Sequence, residues 1–98
     1  MSGFLFEWSP AKALDNWRKH GVGFDEATTV FGDPFSQTMY DPDHSTGEER
    51  YVTVGRSSSH RLLLVVHTER GNRIRIISAR PSTSRERQHY EECSEKTI

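Results

Sequence analysis

Apolar and polar positions follow two different periods along this chain, and the change of period divides it into elements. Phe4–Trp8 is short and aromatic, with Phe4 and Phe6 set against Leu5 and Glu7, and predicts an opening strand. Ser9-Pro10 marks a helix start, because Ser9 can cap and Pro10 suits the first helical position. Pro10, Ala13, Leu14 and Trp17 then recur at helical spacing. Lys19 and His20 fall in a last turn, where the helix dipole favours cations, and Gly21 suits the left-handed residue that closes a helix. The spacing therefore predicts a helix over 10–20. A second helix is predicted over 25–31, with Ala27, Val30 and Phe31 inward and Gly32-Asp33-Pro34 as its stop. Phe35–Tyr40 reads as a strand, and Asp41-Pro42-Asp43-His44-Ser45-Thr46-Gly47 as a polar loop. That loop is acidic, but no carboxylate follows at the offset a calcium loop requires.

Period two takes over in the second half. Arg50–Arg56 alternates, Ser57-Ser58-Ser59 is a turn, Arg61–Glu69 has a central apolar run, and Gly71-Asn72 is a hairpin signal. Arg73–Arg80 alternates Arg with Ile until Pro81. Thr83 and Glu86 have the spacing of a capping box for a last helix over 84–92, with the tail from Ser94 frayed. The sum is an α+β domain: a mostly antiparallel sheet of four to five strands, N-terminal helices and a C-terminal helix. Helices should cover one sheet face and leave the other partly open. At 98 residues the chain is long enough for one core, a single domain over 1–98 with its core at about 4–92.

Composition narrows the function classes. The longest apolar run, Leu62–Val66, is far short of a transmembrane helix, and the N-terminus lacks the pattern of a secretory signal. A single cysteine, Cys93, excludes an internal disulfide framework and a cysteine zinc cage, so the expected compartment is the cytoplasm. The net charge of −1 conceals a polarity: residues 1–50 carry −5 and residues 51–98 carry +4. Between Arg50 and Tyr90 nine arginines face only Glu69 and Glu86. Arginine grips phosphate and carboxylate through paired hydrogen bonds, so this half suits a polyanion or an acidic partner, or else is a solvated basic face.

Strict alternation places Arg73, Arg75 and Ile77 on one strand face, and Ile74, Ile76, Ser78 and Arg80 on the other. The hairpin leaves two registers open. A two-residue loop pairs Thr68 with Arg75 and sets Arg70 against Arg73. A three-residue loop pairs His67 with Arg75 and Glu69 with Arg73, and charge pairing favours it. If His67, Glu69 and Arg75 share the open face, they suit RNA cleavage through the 2′-hydroxyl. That reaction needs a base, an acid and cations for the phosphorane charge. The blander alternatives are a half-buried, hydrogen-bonded His67 and a Glu69–Arg73 ion pair. Arg80, Glu86 and Tyr90 form a second cluster, in which Tyr90 could stack a base or donate a proton, or simply pack on the sheet. No phosphate-cradling glycine loop, serine-hydrolase ordering or metal-ligand spacing is present, so no cofactor or metal is expected.

These residues resemble a known family. The carrying strings are Phe6-Glu7-Trp8, Pro10-Ala11-Lys12, Asn16, Lys19-His20-Gly21-Val22, Phe24-Asp25-Glu26-Ala27, Phe31-x-Asp33-Pro34, Gly47-Glu48-Glu49-Arg50, Gly55, Val66-His67-Thr68-Glu69 and Arg73–Arg80, followed by Glu86 and Tyr90. In this order they resemble the BrnT toxins of bacterial type II toxin–antitoxin systems. The resemblance implies a RelE-like fold and a ribonuclease that slows growth by cutting RNA and blocking translation. It also implies a BrnA-type antitoxin with a ribbon-helix-helix DNA-binding region, through which alone the complex would touch DNA. On this chain the expected assignments are a metal-independent endoribonuclease with His67 or Glu69 as base and Arg75 and Arg80 on the phosphate. Tyr90 would position a base or leaving group, and Lys19, Arg50 and Arg73 would contact RNA. The rival expectations are a non-catalytic RNA- or protein-binding module, and an inactive toxin-like subunit of a repressor complex.

Overall fold

A computed structural model describes residues 5–44 and 47–96; Phe4, Ser45, Thr46, Thr97 and Ile98 lie outside the described residues. The chain runs β1 (Leu5–Glu7), α1 (Pro10–His20), α2 (Phe24–Thr29), a 3-10 turn (Val30–Gly32), β2 (Gln37–Asp41) and a second 3-10 turn (Pro42–His44). It continues with β3 (Arg50–Arg56), β4 (Leu62–Arg70), β5 (Arg73–Pro81) and α3 (Ser84–Lys96). The five strands form one mixed sheet in the order β1-β5-β4-β3-β2. β1 runs parallel to β5, and the other three pairings are antiparallel.

The predicted helix signals act as expected. Ser9 caps α1 by accepting from the Lys12 N–H, and Gly21 closes it at φ 66°. At the other end of the chain, the Thr83 hydroxyl accepts from Glu86 N–H while the Glu86 carboxylate accepts from Thr83 N–H, a complete capping box. α3 then continues to Lys96, past the predicted end at 92 and over the first residues of the segment expected to fray. The predicted second helix is divided: its α-helical part ends at Thr29, and Val30–Gly32 tightens into a 3-10 turn.

One core lies between the sheet and the first two helices, built from Val22, Phe24, Ala27, Val30, Leu63, Val65, Ile74, Ile76 and Ala79. A smaller one, Val54, Leu62, Leu64 and Tyr90, lies under α3 on the opposite face. α1 meets the sheet differently from its apolar spacing. Leu14 is 49% exposed and Trp17 58% exposed, while Asn16 is buried. The reason is a strand edge. β1 pairs with β5 only over Arg73–Arg75, so beyond Arg75 the backbone of β5 needs another partner. Asn16 supplies it: Nδ2 donates to the Ala79 carbonyl (2.8 Å) and the Val22 carbonyl (2.9 Å), and Oδ1 accepts from the Ala79 N–H (3.0 Å). Satisfying buried backbone groups takes precedence over burying an apolar stripe.

Candidate functional site: an arginine-lined sheet face

Register decides which side chains meet. The β4–β5 hairpin has the two-residue loop, with Gly71 at φ 61°, so Arg70 lies opposite Arg73 and Thr68 opposite Arg75. This overturns the three-residue register that charge pairing favoured. The like-charge contact is relieved from a neighbouring strand, because Glu7 of β1 reaches Arg75 (3.4 Å), Arg73 (3.7 Å) and Arg70 (4.0 Å), and Glu48 reaches Arg70 (3.6 Å). One carboxylate thus collects three guanidinium groups, which the local cross-strand rule cannot anticipate.

A β-bulge makes the second correction. Val66 pairs with Ser78 while His67 pairs with Ile76, so Ile77 is the extra residue. Beyond it the alternation of β5 inverts. Ser78 and Arg80, opposite Val66 and Leu64, join Arg75, opposite Thr68, on the face away from α1 and α2. Strict alternation had put Arg80 on the other side. Across this face runs a transverse row of Glu7, Arg75, Thr68, Arg50 and Asp41. A partly apolar floor of Val66, Val52 and Met39 separates it from Arg80 and the N-terminus of α3. Arg75 and Arg80 are five residues apart, about 16 Å along the strand. Arg50, Arg70, Arg73, Arg75 and Arg80 therefore share one side of the sheet.

His67 does not join them. It follows Leu63 and Val65 on the helix-covered face, and is 1% exposed. Its Nε2 is bonded to Thr53 Oγ1 (2.7 Å), whose hydroxyl also meets Thr38 Oγ1 (2.7 Å), and its ring packs edge-on against Phe31 and stacks with Tyr51. Burial pushes its pKa down to about 4, which keeps the imidazole neutral. A group sealed in the core cannot take a proton from an RNA hydroxyl, so the base assignment of His67 fails. Glu69 is exposed but lies on the same side as His67, across the sheet from Arg75. The expected triad of His67, Glu69 and Arg75 is not assembled.

The Arg80–Glu86–Tyr90 cluster is half right. Arg80 grips Glu86 through two bonds (2.9 and 2.8 Å), and these bonds hold the Glu86 carboxyl below its usual range. Tyr90 is buried, and its hydroxyl donates to Asp33 Oδ2 while Arg56 lies over its ring. Burial, followed by the bond to Asp33, raises the phenol to about 12. Burial alone would raise Asp33 as well, but the bonds it accepts from Arg56 N–H, Tyr90 and Phe35 N–H outweigh that and keep it low. Tyr90 thus ties α3, through Asp33, to the Arg56 N–H of β3. Neither Asp33 in this role nor Asn16 at the strand edge was foreseen, although both stand in the motif strings.

Lys19 and Arg73 lie at the margins of the arginine face, and Arg50 lies within it. Lys19 is exposed in a cleft with Lys12, Asp15, Ile77 and Ser78, where α1 meets the edge of β5. Arg73 is more than half exposed beside Glu7, and Arg50 is partly exposed in the central row. A separate network of Glu26, Ser57 and Arg61 ties the β3–β4 loop to α2, with Arg61 also donating to the Gly21 carbonyl. Among the described residues no helix is long and apolar enough to cross a membrane.

Comparison with known proteins agrees with this architecture. The crystal structure of the ribonuclease toxin BrnT from Brucella abortus matches with a TM-score of 0.59 at 18% identity, covering 82% of this chain and 99% of that one, which establishes the shared fold. No curated protein sequence matches the chain. The family described as the ribonuclease toxin BrnT of type II toxin–antitoxin systems matches residues 8–86. That match spans most of the chain, and the chain belongs to the BrnT ribonuclease toxins of type II toxin–antitoxin systems.

Proposed function

We propose that this protein is a metal-independent endoribonuclease that binds RNA across the open sheet face, and that its cleavage of RNA blocks translation and growth. The observation that carries the reading is the gathering of Arg50, Arg70, Arg73, Arg75 and Arg80 on the side that α1 and α2 leave bare. Guanidinium groups there suit both the phosphate backbone and the charge that develops on a phosphorane. Lys19, at the β5 edge, extends the track for the strand. With His67 in the core, we assign the acceptor of the 2′-hydroxyl proton to Glu7. Its support is a 3.4 Å approach to Arg75 and its position among three arginines. Arg75 and Arg50 would hold the scissile phosphate, and Arg80 an adjacent one, after exchanging Glu86 for phosphate oxygens. Glu69 and Tyr90 have no place in this scheme.

The antitoxin of the system is proposed to be of BrnA type, with a ribbon-helix-helix region that makes the DNA contacts of the complex, and the site of action to be the cytoplasm. An acidic or apolar segment lying across the same arginines would neutralise the toxin. Incubation of purified protein with an mRNA in excess EDTA tests the reading. Cleavage that persists in EDTA and is lost in Glu7→Gln and Arg75→Ala supports it. Intact RNA, from folded wild-type protein that still retains RNA on a filter, favours the binding-module alternative.

A further inference from the structure

β2 is the long free edge of the sheet. β3 occupies one side of Gln37–Asp41, and among the described residues no strand occupies the other. The usual protections of an exposed edge are missing: the strand has no lysine, no proline and no bulge. It also exposes apolar groups on both faces, with Met39 47% exposed and Tyr40 50% exposed. Beside Met39 a mainly apolar groove of about 280 Å³ opens between β2 and α3, lined by Gln37, Met39, Val54, Arg85, Glu86, His89 and Tyr90.

We infer that this edge is an interaction surface for a second copy of the chain, with the two β2 strands paired antiparallel about a two-fold axis at Met39. The edge is self-complementary. In that register Gln37 faces Asp41 of the second copy, and Thr38 faces its Tyr40. Asp41, which also meets His44 Nδ1 (2.8 Å), ends one strand, while Arg85 stands beside Gln37 at the start of it, next to a Glu86 that Arg80 already holds. The two-fold therefore brings Asp41 of each copy toward Arg85 of the other, and sets no like charges directly opposite. Residues opposite each other in an antiparallel pair point to the same side, so Met39 of the second copy meets Met39 at the mouth of the groove. A one-residue slip would lose both the charge match and the apolar contact. The product is a continuous ten-stranded sheet with both arginine faces on one side. It does not depend on the ribonuclease reading. Five residues of edge and one apolar contact make a small interface, below the roughly 1,200 Å² typical of stable complexes, so the dimer is concentration-dependent rather than permanent.

Disulfide trapping tests the register. Directly opposed residues have Cα atoms about 4.5 to 5.5 Å apart, within disulfide reach, whereas two Thr38 residues in this register lie about 8 Å apart. In a Cys93→Ser background, mild oxidation of Met39→Cys should give a covalent dimer, and Thr38→Cys should give at least tenfold less in the same time. Sedimentation velocity of the wild type should show a dimer that grows with concentration and vanishes in Met39→Lys, which opposes two cations at the axis. Monomeric wild type up to millimolar concentration, or equal cross-linking of the two cysteine variants, would overturn the inference and leave the edge to a different protein's strand.

Discussion

Burial of His67 predicts an acid sensitivity that can be worked out in advance. The unfolded chain binds a proton at this imidazole with a pKa near 6.5, while the folded protein resists it down to about 4. Between those values the unfolded state holds more protons, so stability is complete above pH 6.5 and is lost as pH falls toward 4. Linkage over that window gives a loss of about 2 kcal/mol between pH 7 and pH 5. For a domain of this size that is a drop of roughly 10 °C in melting temperature. Carboxylates held low in the fold (Glu26, Asp33 and Glu86) act in the same direction, but at lower pH, because their unfolded values are 4.5, 3.8 and 4.5. Urea unfolding at the two pH values, in wild type and in His67→Gln, separates the contributions. The variant should be less stable at pH 7, since Thr53 loses its imidazole partner, yet nearly flat between pH 7 and pH 5. A wild type equally stable at both values, or a variant that keeps the full loss, would refute the burial argument.

Other perturbations follow from the same contacts. Asn16→Ala strands the Ala79 N–H and carbonyl at a buried strand edge and should cost about 2 to 4 kcal/mol in urea unfolding. Tyr90→Phe removes one donor from Asp33 and should lower stability by about 1 to 2 kcal/mol while leaving RNA cleavage at the wild-type rate. Arg80→Ala should raise KM for RNA without unfolding the domain, since Glu86 keeps its cap with Thr83, as circular dichroism would show.

Local chemistry was legible in the sequence wherever a neighbour along the chain decides the outcome. Ser9, Pro10 and Gly21 delimit α1, Thr83 and Glu86 start α3, and the alternation of Arg50–Arg56 marks β3 to the residue. What stayed hidden depends on partners distant in sequence. The hairpin register escapes a local rule because Glu7, over sixty residues away, neutralises the arginines that the rule sets in conflict. The bulge at Ile77 has no composition signal, yet it alone moves Arg80 to the side of Arg75. Leu14 and Trp17 looked like a core stripe because helical spacing cannot show that Asn16 is needed at a strand edge. His67 was a candidate base because its residue type fits the chemistry, and its burial is a property of the helices folded over it.

The proposed mechanism cuts RNA on the arginine face and not at His67. Its most direct test is single-turnover cleavage of one mRNA at pH 7 by folded wild type, Arg75→Ala and His67→Gln. Arg75→Ala should lose roughly a hundredfold or more, the scale of removing a donor to developing charge, and His67→Gln should stay within a few-fold of wild type. Full activity in Arg75→Ala together with an inactive, folded His67→Gln would contradict the mechanism.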